Sequence, residues 1–343
     1  MLSNRIKARM FRDLLSFSFV VLWCRPHILC QAQDVMERIR QCDVESVSFD
    51  VPSIVHFDIS VLEESPTTGE IRSSRFLGRT IRLSESQLRT EYLYQEFSPR
   101  VGVREKELYL QHSPEEKIKA NVGATDIPYD FFSHSYDKLS APDGLQLREA
   151  NPYSLLLSGT GLIGINAQKT KPFQALCAQF RPLKGADNYI VQSGGASVVK
   201  LDFDDKDPWK IVKFAALFPE GSAIAAREYK KKVTSIEDCK DFLPVTVGEA
   251  KWMELTDGTH VPFWIYNRRE NMSFSDPGRI SEMEGFFFGI EIDPKIDEKL
   301  FDPQRVTHEE WIKDFNVEQI ETLAKQEREK LLRQEKKSRS SVK

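Results

Sequence analysis

Cysteine is scarce in this chain, with five among 343 residues at wide spacings. Two of them, Cys24 and Cys30, lie within the first 32 residues, which leaves Cys42, Cys177 and Cys239 for the remainder. Three thiols close at most one internal disulfide, so a disulfide-stapled scaffold is excluded, and their spacing matches no metal-ligand pattern. They are expected as buried thiols. Histidine is sparse too: His27, His56, His112, His134, His260 and His308 never stand four apart. That excludes a zinc-binding H-E-x-x-H helix. A G-x-S-x-G nucleophile elbow is missing, as is any catalytic-cysteine context. A hydrolase would need dispersed groups such as His112, Asp130 and His134 to converge in space. Positive charge is not in excess: 48 basic residues face 52 acidic ones, and a net charge of −4 gives no electrostatic reason to bind nucleic acid. No cofactor is expected.

Long apolar runs are also lacking. The longest near the N-terminus, Leu14 to Trp23, has ten residues, whereas a membrane span needs about 20. Arg5, Lys7, Arg9 and Arg12 precede it, and "CQAQD" follows with small residues Cys30 and Ala32. Residues 1–32 therefore read as a secretory signal peptide, despite Asp13 and "CRPHIL". A buried or uncleaved segment is the alternative. Bulky Trp23 and Leu29 before the two cysteines argue against a lipidation box. The expected location is outside the cytoplasm, in the periplasm or cell envelope.

What is abundant is alternation. "DVMERIRQCD" puts Val35, Met36 and Ile39 on one helical face, and then the period changes from near four to two. "VSFDVPSIVHFDISV", "GEIRSSRFLGRTIRL", "TEYLYQEF", "EKELYLQH" and "EEKIKANVG" read as strands, with "EESPTTG" as the first turn. "NPYSLLLSGTG" interrupts them with a brief helix: Asn151 as N-cap, Pro152 at the first position, Gly159 as stop. Strands resume in "ASVVKLDF", "WKIVKFAALF", "REYKKKVTSIED", "FLPVTVGEAKWMEL", "THVPFWIYNRRE" and "EGFFFGIEID". No βαβ rhythm is present, so a parallel sheet is excluded. Beyond Pro303, Thr307 and Glu310 form a capping-box pattern before Trp311, and a charged helix follows. It is expected to be a solvated helix that frays after Leu332, with contact to an anionic surface or an envelope partner as the sharper alternative.

Two formal motif matches fail on context. "GTGLIG" (159–164) fits G-x-G-x-x-G, but a helix rather than a strand enters it, so it reads as a helix stop. "DFDDKD" (202–207) has Asp207 where a calcium loop needs glycine, and reads as a hairpin turn. Aromatic side chains on strands remain. In "GFFFG" successive rings point to opposite faces, so both faces of that strand are covered. Phe57, Phe76, Tyr92, Phe214, Trp252, Trp264 and Phe287 are candidate lining residues for an apolar ligand, set against core packing as the plainer reading.

"KWMELTDGTHVPFWI" and "GIEIDPKIDEKLFDP" carry a resemblance. The first is similar to a late hairpin with a D-G turn and V-P, the second to a terminal strand with an I-D-x-x-L-F-x-P hook. Across residues 34–303 the order of elements resembles the lipoprotein-carrier superfamily, outer-membrane lipoprotein-sorting proteins and their relatives, especially divergent exported versions from planctomycete-type bacteria. The resemblance implies an α+β fold in which a curved antiparallel sheet forms an incomplete β-barrel around helices. It implies noncovalent handling of a lipid or lipoprotein, without catalysis. Ile296, Leu300 and Phe301 would form the closing hook. The expected organisation is a signal peptide (1–32), a half-barrel domain (33–306) and a charged helical tail (307–343). A structural envelope protein with a filled core is the rival reading.

Overall fold

A computed structural model describes residues 34–49, 51–84, 87–98, 102–113, 151–159, 173–193, 195–221, 225, 229, 231–271, 278–301 and 316–340. The proposed signal segment, "EEKIKANVG", residues 160–172 and the Thr307–Trp311 capping pattern lie outside the described residues. From Val35 onward the chain forms one compact unit. Helix α1 (Val35–Glu45) leads into strands β1 (Ser53–Ser65), β2 (Glu70–Ser84), β3 (Gln87–Ser98) and β4 (Gly102–Ser113). Helices α2 (Pro152–Gly159) and α3 (Gln174–Gln179) follow, then β5 (Phe180–Pro182), β6 (Tyr189–Gln192), β7 (Val198–Phe203) and β8 (Ile211–Phe218). After them come β9 (Leu243–Glu254), β10 (His260–Asn271), β11 (Arg279–Ile292) and helix α4 (Val317–Ser340).

The strands form one antiparallel sheet in the order β4-β3-β2-β1-β11-β10-β9-β8-β7-β6-β5. Two meanders run outward from a central seam, where β1 pairs β11. Among the described residues the sheet does not close: β4 and β5 are its edges, and Pro182 blunts the short β5 edge. The fold is α+β, an open half-barrel with few helices. Three glycines mark where the inner face is most crowded. A Cβ on Gly78 would lie 2.6 Å from Tyr92 Cβ, one on Gly248 2.6 Å from Asn267 Oδ1, and one on Gly285 2.5 Å from Leu155 Cδ2. Glycine at such positions lets a sheet bend and lets an overlying helix approach its backbone.

Local chemistry explains the boundaries. Asn151 Oδ1 accepts the Tyr153 N–H at 2.9 Å and caps α2. In the β7–β8 turn, Asp204 Oδ1 accepts the N–H groups of Lys206 and Asp207, so this carboxylate is spent on the turn's own backbone. Gly258 takes the left-handed conformation in the β9–β10 turn, with φ of 83°.

"REYKKKVTSIED" departs from expectation. Its described residues form an isolated bridge at Ser235 and a 3₁₀ turn, Ile236–Cys239, rather than a strand. The reason is Asp238, whose Oδ2 accepts from the backbone N–H groups and the hydroxyls of Thr234 and Ser235. Such local bonds compete with a sheet ladder. The Thr234 and Ser235 backbone N–H groups, then the two hydroxyls, hold this exposed carboxyl down at about 2, against an ordinary 3.8. Because the folded value is depressed, the contribution to stability is present above about pH 4 and is lost as pH falls toward 2. A carboxyl-carbon NMR titration is expected to show an Asp238 midpoint near 2, and a midpoint near 3.8 would refute the geometry.

The two faces carry different covers. On the inner face, α1, α2 and α3 join one large cluster with inward strand residues. On the outer face, Leu77, Phe263, Phe286 and Phe288 pack with Ile320 and Ala324 of α4. Helix α4 is therefore docked, not a solvated tail. Asn316 caps it, its Oδ1 accepting the Gln319 N–H at 3.0 Å. Arg328 bridges Asp58 and Glu284 while its guanidinium lies 4.5 Å from the Phe286 ring centre. Arg75 joins Asp58 to Glu321, which pairs there. Helix continues to Ser340, past the expected fraying at Leu332, because Arg, Gln, Glu and Lys are strong helix formers.

Asp58→Ala should loosen this clamp. Its side chain is 8% exposed, while Arg75 and Arg328 are 35% and 38% exposed. Solvent screens the arginines, so a loss of about 1–2 kcal/mol is expected rather than that of a fully buried pair. Limited trypsin digestion should cut α4 faster in the variant, and an unchanged rate would show that the clamp does not hold the helix.

Candidate functional site

The inner face of the sheet is the candidate site. Alternation puts Val55, Phe57, Ile59 and Val61 of β1 inward, facing the same way as Phe76 of β2 and Tyr92 and Tyr94 of β3. Across the seam, Met283 and Phe287 of β11, Ile265 of β10, Ala250 and Trp252 of β9 and Phe214 of β8 join the same apolar cluster. Phe76 lies 6.0 Å from Tyr92 and 5.1 Å from Tyr94, ring centre to ring centre. Such tilted pairs add stabilisation beyond area alone.

Six of the seven aromatic candidates thus share this face. Trp264 does not. It sits on the outer face with Phe263 and Phe286, donates Nε1–H to Glu284 at 2.8 Å and lies under the Lys251 ammonium. The cause is a bulge: the β9–β10 register shifts between Pro262 and Trp264, so Phe263 is an extra residue. Two successive side chains, Phe263 and Trp264, then point the same way, and alternation resumes at Ile265.

One end of the inner face is plugged. Phe49 lies tilted against Tyr153 at 5.7 Å, Tyr153 edge-on to Phe173 at 5.7 Å, and Phe173 tilted against Trp252 at 6.4 Å. Trp209 meets Trp252 at 5.8 Å and His260 at 5.0 Å. Polar handles fix the rings: Tyr153 Oη lies 3.1 Å from the carbonyl oxygens of Val47 and His260, and Trp252 donates Nε1–H to Ile211 O at 2.8 Å. Burial is the main reason that the Tyr153 hydroxyl is pushed well above the usual tyrosine value, so it stays a neutral donor. The start of β1 and β10 and the end of β9 meet here. At the opposite end, where β1 finishes and β11 begins, Arg279 donates to Glu63 at 2.6 Å. Asn267, also at that end, donates Nδ2–H to the Leu155 carbonyl of α2 at 3.2 Å. The face therefore runs from an aromatic floor to a polar rim.

The hook lies elsewhere. Leu300 and Phe301 belong to a 3₁₀ turn, Glu298–Phe301, in which Phe301 is buried and Ile296 and Leu300 are half-buried. Arg89 of β3 donates to the Leu300 carbonyl at 2.8 Å, and Arg89 and Arg79 both pair with buried Glu91. Arg89 and Glu91 alternate with inward Tyr92 along β3, so the hook meets β3 from the outer side.

Chemistry is sparse. Among the described residues no group of three or more His, Cys, Asp or Glu is placed to hold a metal. Cys42 and Cys239 are buried thiols and Cys177 a half-buried one whose Sγ lies 3.9 Å from the Met36 carbonyl oxygen, and burial pushes the Cys42 thiol up. His56 stacks on Phe288 of the outer face at 5.7 Å and is held down chiefly by burial. Side chains of His112, Asp130 and His134 lie outside the described residues. Among the described residues no helix is long and apolar enough to cross a membrane.

No protein family matches the chain, and no curated protein does. Solved structures with a similar course exist. A DUF1329 family protein from Desulfovibrio piger is 8% identical, with 78% of this chain and 95% of that one covered at a TM-score of 0.31. A LolA superfamily protein from Nitrosomonas europaea is 9% identical, covering 78% and 97% at 0.28. An outer membrane lipoprotein-sorting protein domain from Vibrio parahaemolyticus is 8% identical, covering 79% and 98% at 0.29. Likeness this low carries no weight on ligand or role.

Proposed function

We propose that the chain is an exported cell-envelope protein that holds a lipid, an acyl chain or the acyl part of a lipoprotein noncovalently against the inner face of its half-barrel. Phe57, Phe76, Tyr92, Phe214, Trp252 and Phe287 line the seat, and no bond is made or broken. The supporting observation is their placement on one face, with Ile59, Val61 and Ile265 between them and an aromatic floor at one end. Each methylene transferred from water to such a surface contributes about 0.8 kcal/mol. Export rests on the basic and apolar N-terminal pattern.

One observation favours the rival, a filled core. Phe57, Phe76, Tyr92, Phe214 and Phe287 are at most 4% exposed, so an acyl chain must part them to enter. Titration with a fluorescent fatty acid separates the two. The proposal expects saturable uptake that Phe76→Ala changes and that Val247→Ala, on the exposed outer face, leaves alone. A folded protein that takes up no fatty acid establishes the filled core.

A further inference from the structure

Helix α4 is divided by charge. From Asn316 to Glu329 it carries Lys325 and Arg328 against Glu318, Glu321, Glu327 and Glu329, a net of −2. From Lys330 to Lys343 the chain carries Lys330, Arg333, Lys336, Lys337, Arg339 and Lys343 against Glu335 alone, a net of +5. The acidic part is the part that docks. Val317, Ile320, Leu323 and Ala324, with Leu331 just beyond this part, pack on the outer cluster, Glu321 reaches Arg75, and Arg328 reaches Asp58 and Glu284. Leu331 is the last of these contacts, and helix continues to Ser340. Nine further residues at 1.5 Å each carry the helix about 13 Å beyond it.

Docking thus uses the half of α4 whose charges the sheet answers. The remaining half, from Lys330 to Ser340, gathers five basic residues, and Lys343 follows in the sequence, in a protein whose total charge is −4. It has no apolar stripe to bury: "RQEKKSRSSVK" holds one apolar residue, Val342. Exposed Lys330 and Arg333 begin this basic surface, with Arg333 3.5 Å from Glu329.

We propose that the basic end of α4, from Lys330 onward, binds a bilayer surface rich in anionic headgroups and so sets the half-barrel against a membrane. Four to eight clustered lysines and arginines suffice for such attraction, and it falls away within a Debye length. The contact is electrostatic, without insertion. It does not depend on what the inner face holds.

The test is sedimentation of the whole chain with vesicles of neutral phosphatidylcholine, alone or with about a third phosphatidylglycerol, against the variant K336E/K337E/R339E. Wild type should bind the anionic vesicles and not the neutral ones, and raising salt from about 0.1 to 0.5 M should release it. The triple variant should lose at least a hundredfold in affinity, since each basic residue near the surface is worth roughly fivefold. An unchanged Tm shows that the fold and the α4 clamp survive. Equal binding to neutral vesicles, a variant as good as wild type, or wild type that ignores anionic vesicles overturns the proposal; the last would leave the basic end to a protein partner. Fatty-acid uptake by the same samples reports on the inner face separately.

Discussion

Gly78→Ala is expected to cost about 3 kcal/mol or more, at the upper end of overpacking substitutions. In a chain of this size that lowers Tm by about 6 °C or more. The added methyl would meet the Glu91 backbone oxygen, and it would lie 2.6 Å and 2.7 Å from Cβ and Cα of Tyr92. Two of the three obstacles are backbone atoms, so no side-chain rotation relieves the clash. The β2–β3 pair must move apart where Gly78 stands opposite Tyr92. Differential scanning calorimetry checks the shift. A Tm within a degree of wild type would mean that the sheet is not bent here as described.

Phe287→Ala should be comparably severe, at about 3–5 kcal/mol. Its side chain is fully buried and lies in the inner cluster, between outward Phe286 and Phe288. Chemical denaturation should show the midpoint falling with the slope unchanged. The neighbours separate the faces. Phe286→Ala removes the ring under Arg328 and should quicken proteolysis of α4, whereas Phe287→Ala should alter fatty-acid uptake at equal helix protection. Identical outcomes for the two would show that the faces are not independent.

Much of the architecture was legible because it rests on local period and turn chemistry. Alternation located β1 to β4 and β7 to β11, and Asn151, Pro152 and Gly159 bounded α2. The "GFFFG" triplet told that both faces of β11 are covered, without telling what covers them. Features that failed to show depend on register between distant strands. The bulge at Phe263 is invisible in "HVPFWIY", yet it sends Trp264 outward. Asp238 overrides the strand propensity of "KKVTSIED" by collecting four hydrogen bonds from two residues. The docking of α4 needs Asp58, Glu284 and Arg75, which the chain places more than 30 positions away. Its apolar spacing gave the helix, and only the sheet gave it a partner.

Native mass spectrometry of protein isolated from cells without detergent, paired with organic extraction of the same sample, weighs the account most directly. An acyl-bearing passenger released from the intact fold, and lost on denaturation, is the predicted result. A clean apo mass from folded protein that also declines added fatty acid would contradict it.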